Sequence, residues 1–165
     1  MRNRSGFSAF ELVCALAIMA VIAALVMPQY LKWLQAYRLR GATTNLVSDL
    51  EMAKIRAIRE NAFVAVEFES DRYTIFVDNG EPSGTGGDWV LNGNEQVLRN
   101  RDLPAGVMID TDAETFFTDD HTRFNARGIP PDIAALGFVN REIQLTNSID
   151  SKLITMNRLG YMNVQ

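Results

Sequence analysis

The chain has 165 residues, a net charge of −4 and a single cysteine, Cys14. That length holds one modest domain beside a long apolar segment, and one cysteine excludes an intramolecular disulfide or a cysteine metal site. Residues 1–60 carry eight Lys/Arg against four Asp/Glu, and residues 61–165 carry eight against sixteen. An acidic distal part is a poor electrostatic match for a phosphate backbone, which disfavours nucleic acid as a partner.

The first element is apolar. From Phe7 to Met27 only Ser8 and Glu11 are polar. As a helix, 21 residues would span roughly 32 Å, close to a bilayer's hydrocarbon core of about 30 Å. Arg2 and Arg4 precede it and stay cytoplasmic by the positive-inside rule. The run is longer than a secretory signal's apolar region and ends in no clear small-x-small cleavage site. A plain signal anchor accounts for everything except Gly6 and Glu11. A charge inside such a segment costs on the order of 2.5–3.5 kcal/mol and therefore needs a partner or a purpose.

Pro28 sits where the pattern changes, and a bend or short unwinding is expected near Val26–Gln29. Tyr30, Trp33 and Tyr37 then follow with Lys32, Arg38 and Arg40, an interfacial belt. Leu39, Ala42, Leu46, Leu50, Ala53 and Ala57 recur in steps of three and four, with Val47 and Ile58 widening the stripe. This amphipathic half should pack the distal domain, and Asn61 is a plausible stop. A partner-binding helix is compatible with the same pattern.

From Phe63 the period drops to two. Val64, Val66 and Phe68, then Tyr73, Ile75 and Val77, predict a hairpin turning at Ser70-Asp71. A loop by composition follows from Asp78 to Asp88. Shorter strands are expected at Trp89–Leu91, Glu95–Arg99, Val107–Asp110, Thr122–Asn125, Glu142–Thr146 and Leu153–Asn157, with an edge strand in Gly160–Val164. Asn92-Gly93, Pro104, Gly128 and Pro130-Pro131 are turn signals between them. The distal part is expected to be a small antiparallel β domain.

The opening stretch, Gly6-Phe7-Ser8-Ala9-Phe10-Glu11-Leu12, resembles the prepilin motif of type IV pilins and type II secretion pseudopilins. Ser8, Ala9 and Phe10 depart from the family's commonest residues at variable positions. The resemblance implies a leader over 1–6, cleavage after Gly6 by a prepilin peptidase, and N-methylation at Phe7. It implies that Glu11 pairs with the terminal amine of a neighbouring subunit, and that Pro28 is the family's kinking proline. Ala15, Ala17, Ala20, Ala23 and Ala24 would let such helices approach closely.

Further along, Gly41, Asn45, Ser48-Asp49-Leu50 and Ala53-Lys54-Ile55-Arg56-Ala57-Ile58 resemble the GspH/FimT branch of minor pilins and pseudopilins. Val66-Glu67-Phe68, Arg123–Gly128, Ile143–Asn147 and Ile154–Asn157 continue that likeness more loosely. What it implies is an α+β, pilin-like fold: membrane-spanning helix half 7–28, amphipathic half 29–61, and β domain 62–165. The implied role is structural, a minor subunit first held single-pass in the bacterial inner membrane with a periplasmic domain, then placed in a pilus or pseudopilus. Its implied partners are other pilins or pseudopilins of the same filament.

Other sites are weaker. His121, the only histidine, follows Asp119-Asp120 but lacks matched ligand spacing. Asp110, Asp112, Glu114, Asp119 and Asp120 could hold calcium, yet lack the EF-hand's alternation and glycine. Gly84, Gly86 and Gly87 have no following Lys-Ser/Thr, so they make no phosphate loop. With one histidine, no serine has a credible triad, so neither an enzyme nor a cofactor is expected. Some FimT-like minor pilins bind DNA during uptake through a C-terminal Gly-Arg-x-Arg. The matching positions here read Gly160-Tyr161-Met162-Asn163, leaving Arg141, Lys152 and Arg158 as a thin patch.

Overall fold

A computed structural model describes residues 8–80, 86, 88–91, 95–111, 120–131 and 140–165. Helix α1 (Ala9–Glu60) leads into β1 (Phe63–Phe68), β2 (Arg72–Asp78), β3 (Val97–Asp102), β4 (Met108–Asp110), β5 (His121–Phe124), β6 (Asn140–Thr146), β7 (Ser151–Asn157) and β8 (Met162–Val164). The chain divides into two compact units, one up to Gln35 and a head domain from Ala36 to Gln165.

The helix is unbroken through Pro28, so the unwinding expected at Val26–Gln29 is absent. A single proline removes one amide donor, and neighbouring turns keep theirs, which is sufficient to hold a long helix together. The other end is a sharp stop. Asn61 adopts φ 52°, and the Ala62 amide donates to the Ala57 carbonyl at 3.3 Å. That six-to-one bond is a Schellman cap, with asparagine standing in for the usual glycine.

In the head, the stripe Leu39, Ala42, Leu46, Leu50, Ala53 and Ala57 is buried as its spacing requires. It meets Val64, Val66, Phe68, Tyr73 and Ile75 from one sheet and Ile109, Ile143, Leu145, Ile154 and Met156 from another, in one core cluster. Among the described residues, the distal β domain forms two four-stranded antiparallel sheets, ordered β3-β2-β1-β5 and β4-β6-β7-β8. The hairpin register, Phe63↔Asp78 to Phe68↔Tyr73, places the alternating apolar residues on the α1 side.

Two expected strands need correction. Trp89–Leu91 is not a strand: Trp89 has φ 72°, and its amide donates to the Asp78 carboxylate at 3.2 Å. A left-handed residue cannot continue a pleated ladder. Glu95 lies outside β3, which begins at Val97; its buried carboxylate instead accepts the Gly80 amide at 2.9 Å. The far face of the first sheet is also covered, since Ala65, Phe76 and Asp78 are all buried. There the Arg123 guanidinium lies over both the Phe63 ring, at 4.5 Å, and the Trp89 ring, at 4.1 Å.

Matching turns close a strand in each sheet. In Asn125–Ile129 and again in Asn157–Tyr161, the asparagine side-chain oxygen accepts amides two and four residues on. In each, the glycine fourth along the turn donates its amide to the asparagine carbonyl, with φ +71°. Gly160 is pressed against its counterpart: a Cβ there would lie 2.6 Å from the Gly128 carbonyl oxygen. Its own carbonyl accepts Lys54 Nζ at 2.8 Å, and that ammonium also sits over the Tyr161 ring. Gly160→Ala is expected to lower stability by about 2–3 kcal/mol, from left-handed strain plus a backbone clash. Gly106→Ala, at φ +85° with open space around it, should lose only the strain, so thermal melts of the two variants should separate the effects.

Candidate assembly site

The apolar half of α1 is uncovered along its length. Phe10 is 77% exposed and Leu25 72%, and the side chains between them are nearly all exposed as well. The helix is long and apolar enough to cross a membrane. Covering such a surface is strongly favourable, at about 25 cal/mol per Å² of apolar area.

Its beginning is a built helix start. The Phe10 amide donates to Ser8 Oγ at 3.3 Å, and the Leu12 amide donates to the Ser8 carbonyl at 3.1 Å. Ser8 is thus the N-cap and Glu11 stands three positions later in the first turn, the Ser-x-x-Glu spacing of a capping box. A carboxylate there also complements the positive end of the helix dipole. Sequence reasoning missed this spacing, although it was visible. Glu11 is exposed, and Pro28 lies within the helix with an exposed side chain. Gly6 and Phe7 lie outside the described residues.

In the head domain, a buried carboxylate interrupts the apolar stripe. Asp49 is 5% exposed between Leu46 and Leu50. Its Oδ2 accepts the Tyr73 hydroxyl at 2.7 Å from β2, and Arg101 Nε of β3 stands 2.9 Å away. Arg99 Nε lies 3.5 Å from Oδ1. The Arg101 contact is an ion pair by distance, because that N–H is not aligned as a hydrogen bond. Burial first, and then the bond to Asp49, pushes the Tyr73 phenol well above its usual range, so it acts as a neutral donor. One acid on α1 therefore fastens two strands to the helix. Only its place in the motif Ser48-Asp49-Leu50 marked it in the sequence.

The remaining candidates do not converge. His121 Nε2 lies 3.6 Å from Glu67 Oε1, and among the described residues no three His, Cys, Asp or Glu side chains gather to hold a metal. Asp112, Glu114 and Asp119 of the acidic segment, and Gly84 and Gly87, lie outside the described residues. Gly86 packs against the Asn79 backbone. Arg141 is buried, at 6% exposure, because it shares the inward face of β6 with Ile143 and Leu145. Lys152 pairs with Leu145 at the far end of the hairpin, about 13 Å along the strand from Arg141's position. Arg141 and Lys152 therefore share no patch, while Arg158, exposed just past the end of β7, adjoins the Arg141 end.

Comparison with known proteins agrees with this architecture. The family model described as type II transport protein GspH matches residues 42–160. The type IV minor pilin FimU of Pseudomonas aeruginosa superposes with a TM-score of 0.57 at 12% identity, over 79% of this chain and 90% of that one. The minor pseudopilin EpsH from the type 2 secretion system of Vibrio cholerae gives 0.53 at 12% identity, over 78% and 96%. No curated protein sequence matches the chain. At this identity the likeness to the two structures is one of fold.

Proposed function

Because this chain belongs to the type II transport protein GspH family, we propose that it is a minor structural subunit of a type IV pilus or a type II secretion pseudopilus. The observation that carries this reading is the uncovered apolar half of α1 beginning at a capped Ser8 and Glu11. In lipid, that surface holds the newly made chain single-pass in the bacterial inner membrane, with the head domain periplasmic. In a filament, the same surface packs against the helices of neighbouring pilins or pseudopilins.

The resemblance at Gly6 to Leu12 supplies the transition between the two states. A prepilin peptidase removes residues 1–6 after Gly6, and the new amine at Phe7 is N-methylated. Glu11, costly to hold unpaired in an apolar layer, then meets the terminal amine of a neighbour and fixes the axial register between subunits. Pro28 lets the helix bend where it leaves the packed layer. Chemistry on a substrate has no part in this role.

The test is the mature mass. In a host carrying the peptidase, intact-mass spectrometry should find a chain starting at Phe7 with one added methyl group. A chain still starting at Met1 would instead favour a plain signal-anchored periplasmic domain. DNA uptake is not adopted, because Arg141 is buried and stands apart from Lys152.

A further inference from the structure

An open groove of about 520 Å³ runs between α1 and β3, the outer strand of the first sheet. Met52 and Ile55 of α1 and Leu98 of β3 supply its apolar side chains, and Arg56, Arg59 and Arg99 supply its positive charge. Leu98 lines the groove because β3 bulges. Ile75 pairs with Arg99 while Phe76 pairs with Val97, which leaves Leu98 without a cross-strand partner residue and re-aims its side chain. Ile55 is half exposed, more than a helix residue beside a hydrophobic core would ordinarily be.

The charge is only partly spent within the head. Arg56 pairs with Glu60 at 3.0 Å, and Arg99 shares Asp49 with Arg101. Arg59 has no ion-pair or hydrogen-bond partner among the described residues. Glu51 is the one acid in the lining. A basic, apolar-sided groove is thus set into a part of the chain that is otherwise acidic.

We propose that this groove docks an acidic, extended segment of a neighbouring protein subunit, its carboxylates meeting Arg56, Arg59 and Arg99 and an apolar side chain covering Met52, Ile55 and Leu98. The proposal rests on the reading of this chain as an assembly subunit. The lining spans Ser48 to Arg59, about 17 Å of helix, which about five residues of extended chain would cover. Two alternatives fit less well. A second β3 laid edge to edge would bring Arg99 and Arg101 against their own copies, and like charges facing each other across a ladder are destabilising. A nucleic-acid backbone wants a run of cations on a polar surface, whereas this groove has apolar sides and includes Glu51.

The experiment uses the full chain in neutral detergent and fluorescence anisotropy of three labelled probes: a short peptide alternating glutamate and leucine, its lysine counterpart, and a DNA duplex. The glutamate peptide alone should bind, and Arg59→Glu should weaken it by roughly tenfold or more while leaving the melting temperature unchanged. Ile55→Gln should also weaken it, since the apolar side chain is lost. Equal binding by Arg59→Glu, or equal binding of the lysine peptide, would overturn the proposal, and arginine-dependent binding of the duplex would reassign the groove to nucleic acid. Binding is read on unassembled protein, so a negative result leaves the assembly reading intact. Failure of processing at Gly6 would leave this measurement equally interpretable.

Discussion

Asp49→Ala is expected to lower the stability of the head domain by about 3 kcal/mol, read as a fall in the denaturant midpoint of the detergent-solubilised chain. The substitution removes an acceptor that is almost wholly buried, and leaves the Tyr73 hydroxyl facing a core with no replacement. It also leaves Arg99 and Arg101 without their counter-ion. Breaking a fully buried pair costs on the order of 3–5 kcal/mol, and these arginines, 45% and 35% exposed, are partly screened, so the low end applies. Tyr73→Phe removes only the hydroxyl and should cost about 1 kcal/mol. Asp49→Asn should fall between them, because it keeps an acceptor for Tyr73 and loses the charge. An Asp49→Ala midpoint equal to wild type would mean that the network contributes nothing net.

The second large effect concerns Glu11. Glu11→Ala should insert into membrane as well as or better than wild type, since a carboxylate in an apolar segment opposes insertion. Its recovery in sheared filaments should nevertheless drop steeply. Glu11 stands at the capping-box position behind the Ser8 N-cap, so alanine alone confounds two losses: a side chain able to serve that position, and a charge. Glu11→Gln separates them. Glutamine serves at the same position of a capping box but cannot pair with an amine as an ion. If the charge is what assembly needs, the glutamine variant should be missing from filaments as fully as alanine. Normal incorporation of glutamine would assign Glu11 to capping and remove the proposed intersubunit pair.

Much of the fold was legible because its signals are local. The three-and-four spacing from Leu39 to Ala57 gave the packed face of α1, and all six of those residues are buried. Strict alternation from Val64 to Val77 gave the first hairpin, and Asn61 ended the helix as expected. What stayed hidden depends on residues far apart in the chain. Period two says that a strand has two faces, but not that the second face will be covered too. Phe76 and Asp78 read as the outward set, yet both are buried. Trp89 looked like strand material because aromatic residues favour sheets, and its left-handed backbone goes with two distant contacts, its amide on Asp78 and its ring under Arg123. The division into two sheets is likewise set by pairings such as β4 with β6, which no local pattern encodes. At the candidate site the failure was different. Ser8 and Glu11 carried a recognised capping spacing, but Glu11 had already been explained as a charge in an apolar run.

The two tryptophans of the chain fall one in each compact unit, Trp33 before the division and Trp89 after it. Trp33 is well exposed on α1 beside Tyr30, whereas Trp89 is partly buried over a guanidinium. The molecule therefore carries its own pair of optical reporters. With Trp33→Phe, emission follows the head domain alone, and with Trp89→Phe it follows the surroundings of the helix as detergent, lipid or neighbouring helices replace one another. A single spectrometer could then time the loss of the head's structure and the covering of the helix separately, without attaching a dye to either.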